Sequence, residues 1–149
     1  MQVRREIVIG APPARVWRCL TEPAMLPKWI SGFVDETVET PGPPAVGTVS
    51  TMRLKEGAKI ATYRSVLTAW RPGERLAIRL TGGSFSEGMA MDVDYAIAAE
   101  GGGTRLAYDA RVPMKGIFLL LAPIMRLAAG ANAKRDLARL KTLAESAEG

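Results

Sequence analysis

The sequence has 149 residues, a length that suits one core, so residues 1–149 are expected to form a single domain. It contains no histidine and one cysteine, which excludes histidine-based metal sites, histidine-activated nucleophiles and an internal disulfide. The net charge of +5 allows an anionic partner. However, the basic residues are interleaved with acidic and apolar ones, and no aromatic-rich basic strand accompanies them, so nucleic-acid binding is not predicted.

No segment of the sequence predicts membrane insertion or export. The strongly apolar uncharged run at residues 116–125 is far shorter than the ~20 residues that span a bilayer. Residues 1–9 lead directly into an alternating pattern, without the apolar stretch and small-residue cleavage site of a secretory signal. A cytoplasmic protein without stable membrane insertion is expected.

The N-terminal part of the chain predicts one strand and two short helices. Apolar residues alternate over residues 3–9, which indicates a strand that Gly10 ends. Proline is tolerated in the first turn of a helix, so a first helix is predicted from Pro13 to about Leu20. By the same argument, a second short helix is predicted from Pro23 to about Lys28.

Six more strands are predicted in the middle of the chain, separated by glycine- and proline-rich turns. The clearest is residues 89–97, where one face is apolar throughout. Because the turns are short, neighbouring strands should be antiparallel. The predicted strands cover residues 33–39, 47–54, 59–70, 76–80, 89–97 and a last segment around residues 105–111.

From residue 117 to residue 145 the apolar period changes to that of a helix. Leu121, Ile124 and Met125 belong to this apolar stripe and are expected to face the sheet. Pro123 lies inside it, so a kink, or a separate helical turn before Pro123, is predicted. The fold class is therefore α+β, with helices on one face of an antiparallel sheet.

Five motifs follow one another along nearly the whole chain. They are Ala11-Pro12-Pro13 with Val16-Trp17, Leu20-Thr21-Glu22-Pro23 leading to Trp29 and Gly32, Trp70-Arg71-Pro72 leading to Leu76, Gly103-Thr104-Arg105, and Leu140-Lys141. In this order the sequence resembles the START-like superfamily (SRPBCC, Bet v 1-like), and within it proteins of the polyketide cyclase/dehydrase type.

The resemblance implies a helix-grip fold. In this fold a seven-stranded curved antiparallel sheet wraps round a long C-terminal helix, two short helices follow the first strand, and a cavity lies between sheet and helix. The resemblance implies a small hydrophobic ligand, such as a lipid, an isoprenoid or a polyketide-like aromatic. Only some relatives are enzymes, so function must be argued from the site. No cofactor is expected.

Candidate ligand-binding residues are the apolar and aromatic side chains that the pattern turns towards the long helix, together with residues near the mouth of the fold. Methionines can line an irregular apolar ligand, and buried tyrosine hydroxyls can orient a polar group on it. The alternative is that these side chains pack with no void, as most apolar stripes do. The candidates are Trp29, Met52, Tyr63, Leu80, Met89, Met91, Tyr95, Tyr108, Leu121 and Met125.

Binding without catalysis is the favoured function, and two alternatives stay open. One is a polyketide cyclase or aromatase that acts by positioning its substrate, with Tyr63, Tyr95 or Tyr108 assisting proton transfer. The other is a partner-binding module without a ligand cavity. No catalytic residue is assigned, because without histidine no serine or cysteine has an evident activating base. The oligomeric state is not predicted.

Two further features predict structural roles. Asp92 and Asp94 share the polar face of one strand, which indicates solvated sheet surface rather than a metal site. Cys19 lies on a predicted helix beside Trp17 and Leu20, which favours a small buried apolar residue over a nucleophile. No metal ligand set is predicted.

Overall fold

The computed structural model describes residues 1–85 and 87–146. In these residues, seven strands and three helices make up the fold in the predicted order. Two short helices follow the first strand, and one long helix comes last. The strands are β1 (Gln2–Ile9), β2 (Phe33–Val38), β3 (Val49–Glu56), β4 (Lys59–Arg71), β5 (Arg75–Gly82), β6 (Met91–Glu100) and β7 (Gly103–Arg111). The helices are α1 (Pro13–Thr21), α2 (Leu26–Trp29) and α3 (Phe118–Glu145).

All seven strands form one antiparallel sheet in the order β1-β7-β6-β5-β4-β3-β2. From β2 to β7 each strand pairs with the next, whereas β1 pairs with β7, so that Gln2 lies opposite Arg111. Gly101 and Gly102 join β6 to β7 with φ angles of 55° and 83°, and a two-residue type I′ turn requires positive φ at both positions. The predicted helix-grip architecture is confirmed.

The core lies between the sheet, α1 and the C-terminal half of α3. Leu137, Leu140 and Ala144 of α3 are buried there with Ile9 and Leu106 of the sheet. The three helical positions are three and four residues apart, so they share one face of the helix. This face holds α3 against the sheet.

Several predicted boundaries were wrong, and two of them concern segments that carry candidate site residues. The second helix begins at Leu26, three residues after the predicted start at Pro23, because the proline in its first turn is Pro27. Before it the chain makes a turn in which the Met25 N–H donates to the Glu22 carbonyl at 2.9 Å. β6 begins at Met91 rather than at residue 89, which leaves Met89 in the loop before the strand.

Of the two alternatives predicted at Pro123, the structure excludes a separate helical turn, and the kink stays a prediction. The helix passes through Pro123 as one element, without a separate turn before it. Pro123 lies near the helix start, where the Leu119 and Leu120 N–H groups bond three residues back, to Gly116 and Ile117. A proline so close to the end removes a single backbone bond.

The apolar stripe that was expected to face the sheet lies partly on the solvent side. Leu121 is 44% exposed and Ile124 is 70% exposed. Around this half of α3 almost every side chain is apolar, so the sequence pattern does not select the face that packs. Within residues 1–85 and 87–146, no helix is both long enough and apolar enough to cross a membrane.

Candidate ligand-binding site

A small cavity of about 110 Å³ lies between the inner face of the sheet and α3. Strands β1, β6 and β7 form its floor, the end of α2 closes one side, and α3 forms its roof. Most of its walls are apolar. The lining residues are Met1, Val3, Trp29, Ile30, Met91, Tyr95, Tyr108, Ala110, Ala129, Asn132, Ala133, Asp136 and Leu137.

Three aromatic rings form a continuous row along this cavity. Tyr95 and Tyr108 are register partners on β6 and β7, and their ring centroids are 5.3 Å apart. Trp29 meets Tyr95 edge to face, with centroids 6.0 Å apart and planes at 89°. Edge-to-face and tilted arrangements are the favourable geometries for aromatic pairs. The row gives the cavity one rigid wall.

Trp29 is held in place by its ring nitrogen. It is 3% exposed, and its Nε1–H donates to the backbone carbonyl of Cys19 at 2.9 Å. The bond joins α2 to the last turn of α1. Cys19 itself is fully buried, and burial raises the pKa of its thiol, in keeping with the structural role expected for it.

The hydroxyls of Tyr95 and Tyr108 have no hydrogen-bonding partner among residues 1–85 and 87–146, and each oxygen keeps some accessible surface. Burial, the neighbouring Tyr108 and Asp136 raise the pKa of Tyr95 well above its ordinary value. Burial, Asp136 and Asp109 raise the pKa of Tyr108 to about 12. Both hydroxyls are therefore protonated at neutral pH and can donate hydrogen bonds.

Asp136 places a carboxylate at the edge of this cavity. Its side chain is 14% exposed. It accepts hydrogen bonds from the Ser31 backbone N–H, at 3.2 Å, and from the Ser31 hydroxyl, at 2.5 Å. Arg139, one turn further along α3, donates to the same hydroxyl at 3.1 Å. These contacts tie the loop after α2 to α3 and put one negative charge beside the two tyrosines.

Of the ten residues proposed from the sequence, four lie together around the cavity. They are Trp29, Met91, Tyr95 and Tyr108. Met91 also packs against a second apolar cluster, in which Met52, Tyr63 and Leu80 are buried. This cluster is a second part of the core, formed by residues of β3, β4 and β5, and it does not line the cavity.

Tyr63 differs from the two cavity tyrosines because its hydroxyl is already bonded. It donates to the Glu56 carboxylate at 2.5 Å and lies 2.8 Å from the Ser84 hydroxyl. Burial, followed by the Glu56 hydrogen bond, raises its pKa. Tyr63 thus holds the β3–β4 turn against the loop after β5.

The other three proposed residues stand apart from the cavity. Met89 is half-buried in the loop before β6. Met125 is half-buried on α3, whereas Leu121 is on the exposed side of that helix. None of the three lines the 110 Å³ cavity.

Sequence reasoning missed the part of the site that α3 supplies. Ala129, Ala133, Asp136 and Leu137 follow a helical spacing on one face, and Asn132 lies beside them. One signal was available: Asp136 is the only acidic residue between positions 110 and 144. A single carboxylate on the packed face of an otherwise basic and apolar helix points to a specific partner.

The sequence of this chain matches one family model, described as polyketide cyclase/dehydrase and lipid transport, over residues 1–145. The chain belongs to this family. No curated protein matches the sequence.

Solved structures show the same fold as this polyketide cyclase/dehydrase family member. Protein CV1439 from Chromobacterium violaceum superposes with a TM-score of 0.78 at 21% identity, and the match covers 97% of each chain. TTHA0849 from Thermus thermophilus has a TM-score of 0.77 at 20% identity over 100% of both chains. StfQ, a di-domain ARO/CYC protein from the steffimycin biosynthetic pathway, has a TM-score of 0.76 at 15% identity; the match covers 97% of this chain and 50% of StfQ.

Proposed function

We propose that the protein binds a small hydrophobic ligand that carries one polar group, with that group against Tyr95 and Tyr108. The observation that carries the proposal is that Tyr95 and Tyr108 line an apolar cavity and that their hydroxyls have no protein partner among the described residues. A polar group taken out of water costs free energy unless it is hydrogen-bonded. A ligand oxygen would supply the missing bonds.

The electrostatics of the cavity favour a ligand with a hydrogen-bond acceptor. Both tyrosines are protonated donors at neutral pH, and the carboxylate in the cavity wall, Asp136, is already bonded to Ser31. A carbonyl, a quinone oxygen or a hydroxyl could accept from the tyrosines. A ligand carboxylate would be repelled by Asp136 at close range.

The cavity is smaller than a complete ligand of these classes. Its volume of about 110 Å³ falls below the ~300–1,000 Å³ of ligand pockets. Met1 borders both this cavity and an open groove of about 630 Å³ along Leu119, Ala122 and Pro123 of α3. The proposed ligand places its polar end beside the tyrosines and extends past Met1 into this groove.

Displacement of an apolar fluorophore, 1-aminoanthracene, tests this proposal. A ring ketone or quinone should displace it from the native protein. In Tyr95→Phe or Tyr108→Phe, the competitor should bind about 2- to 10-fold more weakly, the effect of one neutral hydrogen bond, while an apolar competitor without oxygen should be unaffected. Tyr63→Phe is the matched control, because that hydroxyl lies outside the cavity and is bonded to Glu56. Equal effects in all three variants would disprove the assignment.

A second candidate function is cyclisation of a polyketide substrate in the same cavity. The observation in its favour is that Tyr95 and Tyr108, whose hydroxyls are protonated at neutral pH, belong to the rigid aromatic wall of the cavity. Holding reactive atoms in place can itself contribute up to about 7–11 kcal/mol to catalysis. Multiple turnovers of a poly-β-keto substrate would distinguish this function from binding alone.

A further inference from the structure

The outward side of the first half of α3 is an exposed apolar surface, here called the outer α3 face. It is formed by Leu120, Ile124 and Leu127, which are 80%, 70% and 78% exposed. Their spacing of four and three residues puts them on one side of the helix, with Ile117 one turn before them. Large aliphatic side chains clustered in this way on a surface mark a binding site for an apolar partner.

The cations beside this face have no carboxylate partners in the part of the chain that the structure describes. Lys115, Arg126, Lys134 and Arg135 form no ion pair with any residue in 1–85 or 87–146. By contrast, Arg75 and Arg79 on the sheet pair with Asp94 and Asp92 at 2.5 and 2.8 Å. Positive charge is therefore left unpaired at the four residues beside the outer α3 face.

The sequence shows the same excess of positive charge around the first half of α3. Between residues 110 and 135 there are five basic residues and no acidic one. Lys134 follows Leu127 by two helical turns, so it lies at the end of the outer α3 face. The apolar face is therefore bordered by positive charge alone.

We propose that the outer α3 face docks the protein on an anionic lipid bilayer surface. Such a surface offers what the face lacks, an apolar boundary for the aliphatic side chains and anionic headgroups for the unpaired cations. A second copy of this chain is disfavoured as the occupant, because a symmetric dimer would bring the same cations together.

A groove beside this face could receive a lipid phosphate. It has a volume of about 300 Å³ and is lined by Arg4, Arg5 and Arg126 together with Leu127. Arg5 donates to the Gly130 carbonyl at 3.3 Å, and Arg4 lies 3.4 Å from Asp109, so these two arginines are held near the groove. Arginine is well suited to phosphate recognition because its guanidinium presents several donors in one plane.

Docking of this kind is peripheral and does not need a ligand in the cavity. Leu120, Ile124 and Leu127 would enter the headgroup region while the helix lies along the surface. The proposal therefore goes beyond the proposed function and can fail independently of it.

Co-sedimentation with vesicles tests the proposal. The full chain should bind phosphatidylcholine vesicles containing about 30% phosphatidylglycerol at least about tenfold more tightly than vesicles of phosphatidylcholine alone. Salt should weaken this binding by screening. Both L120S/I124S/L127S and K115Q/R126Q should lower the affinity for the anionic vesicles by about tenfold or more.

The control variant is V38S/I60S, which removes apolar side chains of similar exposure, 56% and 54%, from β2 and β4. It should bind the anionic vesicles as the unaltered protein does. Circular dichroism should show that all three variants keep the fold, and 1-aminoanthracene binding in the cavity should persist in L120S/I124S/L127S.

Three results would overturn the proposal. One is unchanged vesicle binding in L120S/I124S/L127S, and another is equal binding to the two kinds of vesicle. The third is a dimer in sedimentation velocity that dissociates only in that variant, since the face would then be an interface between copies of the chain.

Discussion

The carboxylate of Asp136 accepts hydrogen bonds from both the backbone N–H and the hydroxyl of Ser31, which joins the loop after α2 to the roof of the cavity. Because α2 also carries Trp29, this contact fixes the distance between the aromatic row and α3. The site is therefore assembled by a contact between residues 105 positions apart in the chain.

Replacing Asp136 should destabilise the protein. Asp136→Ala leaves the Ser31 N–H without its partner, and hydrogen bonds to charged groups contribute about 1.5–3 kcal/mol. We expect the free energy of unfolding in urea to fall by about that amount. Asp136→Asn keeps an acceptor oxygen and should lose less; an equal loss in the two variants would contradict the hydrogen-bonding role.

Gly83 should tolerate no side chain, because Tyr63 packs over it. A Cβ at Gly83 would overlap the Tyr63 ring, whereas a Cβ at Gly101 would meet nothing within 4 Å, although φ is +55° at both positions. Gly101→Ala should therefore cost only the backbone strain of positive φ, about 1–2 kcal/mol. Gly83→Ala should cost clearly more in the same urea titration, and equal costs would refute the steric role of Tyr63.

Stability should fall at alkaline pH as the unfolded chain ionises its tyrosines. An unfolded tyrosine has a pKa near 10, whereas Tyr108 has a pKa of about 12 and the pKa of Tyr95 lies well above its ordinary value. Below about pH 10 both states keep the proton, so stability is unaffected; above it the unfolded state alone loses protons and is favoured. Urea titrations should show stability falling between about pH 10 and about pH 12.

The matching measurement is the phenolate absorbance of the native protein. It should develop at higher pH than in the urea-unfolded chain. Tyr108→Phe should remove part of the signal and part of the pH dependence. If the tyrosines of the native protein ionised at the same pH as those of the unfolded chain, their hydroxyls would be solvated rather than in an apolar cavity.

Catalysis and binding should respond differently to loss of a cavity hydroxyl. If the protein cyclises a poly-β-keto substrate, Tyr95→Phe or Tyr108→Phe should lower kcat by about 10²–10⁴ and change KM little, because proton transfer acts in the transition state. If it binds only, affinity changes by less than about tenfold and no turnover occurs. Product analysis by mass spectrometry decides between them.

Cys19 should be inert to thiol reagents in the native state. It is fully buried, and burial raises its pKa, so both access and the thiolate fraction are low. Reaction with a coloured disulfide reagent should proceed at the rate of unfolding and become fast in urea. Rapid native reaction would mean that the α1–α2 region opens locally.

The period-2 pattern was sufficient to predict the sheet and the strand side chains that face α3, whereas the cavity was expected only from the family resemblance. In β6 strict alternation turns Tyr95 inward, and the Gly101-Gly102 turn places Tyr108 beside it in the neighbouring strand. Trp29, the last residue of α2, was proposed only because the resemblance implies that the mouth of the cavity lies there. Local sequence determines the placement of the two tyrosines.

The contribution of α3 could not be predicted in the same way. Leu121 and Met125 are both apolar, yet only Met125 turns partly inward. Because the first half of the helix is apolar on all sides, the sequence pattern does not indicate which side packs. The partner of Asp136 is a serine in a distant loop, and no local rule relates the two. For Tyr63, the same alternation that predicted a cavity residue also fits the second core, where a contact with Ser84 satisfies its hydroxyl.

The pairing of β1 with β7 has a consequence for the order of folding. From β2 to β7 every strand pairs with its neighbour in the chain, so these hairpins close short loops. β1 must find a strand about a hundred residues away, with Gln2 opposite Arg111, and long-range pairing is the slow step in folding. We expect β1 to dock last. Until it does, the free edge of β7 is exposed, and the first strand of another copy could occupy it.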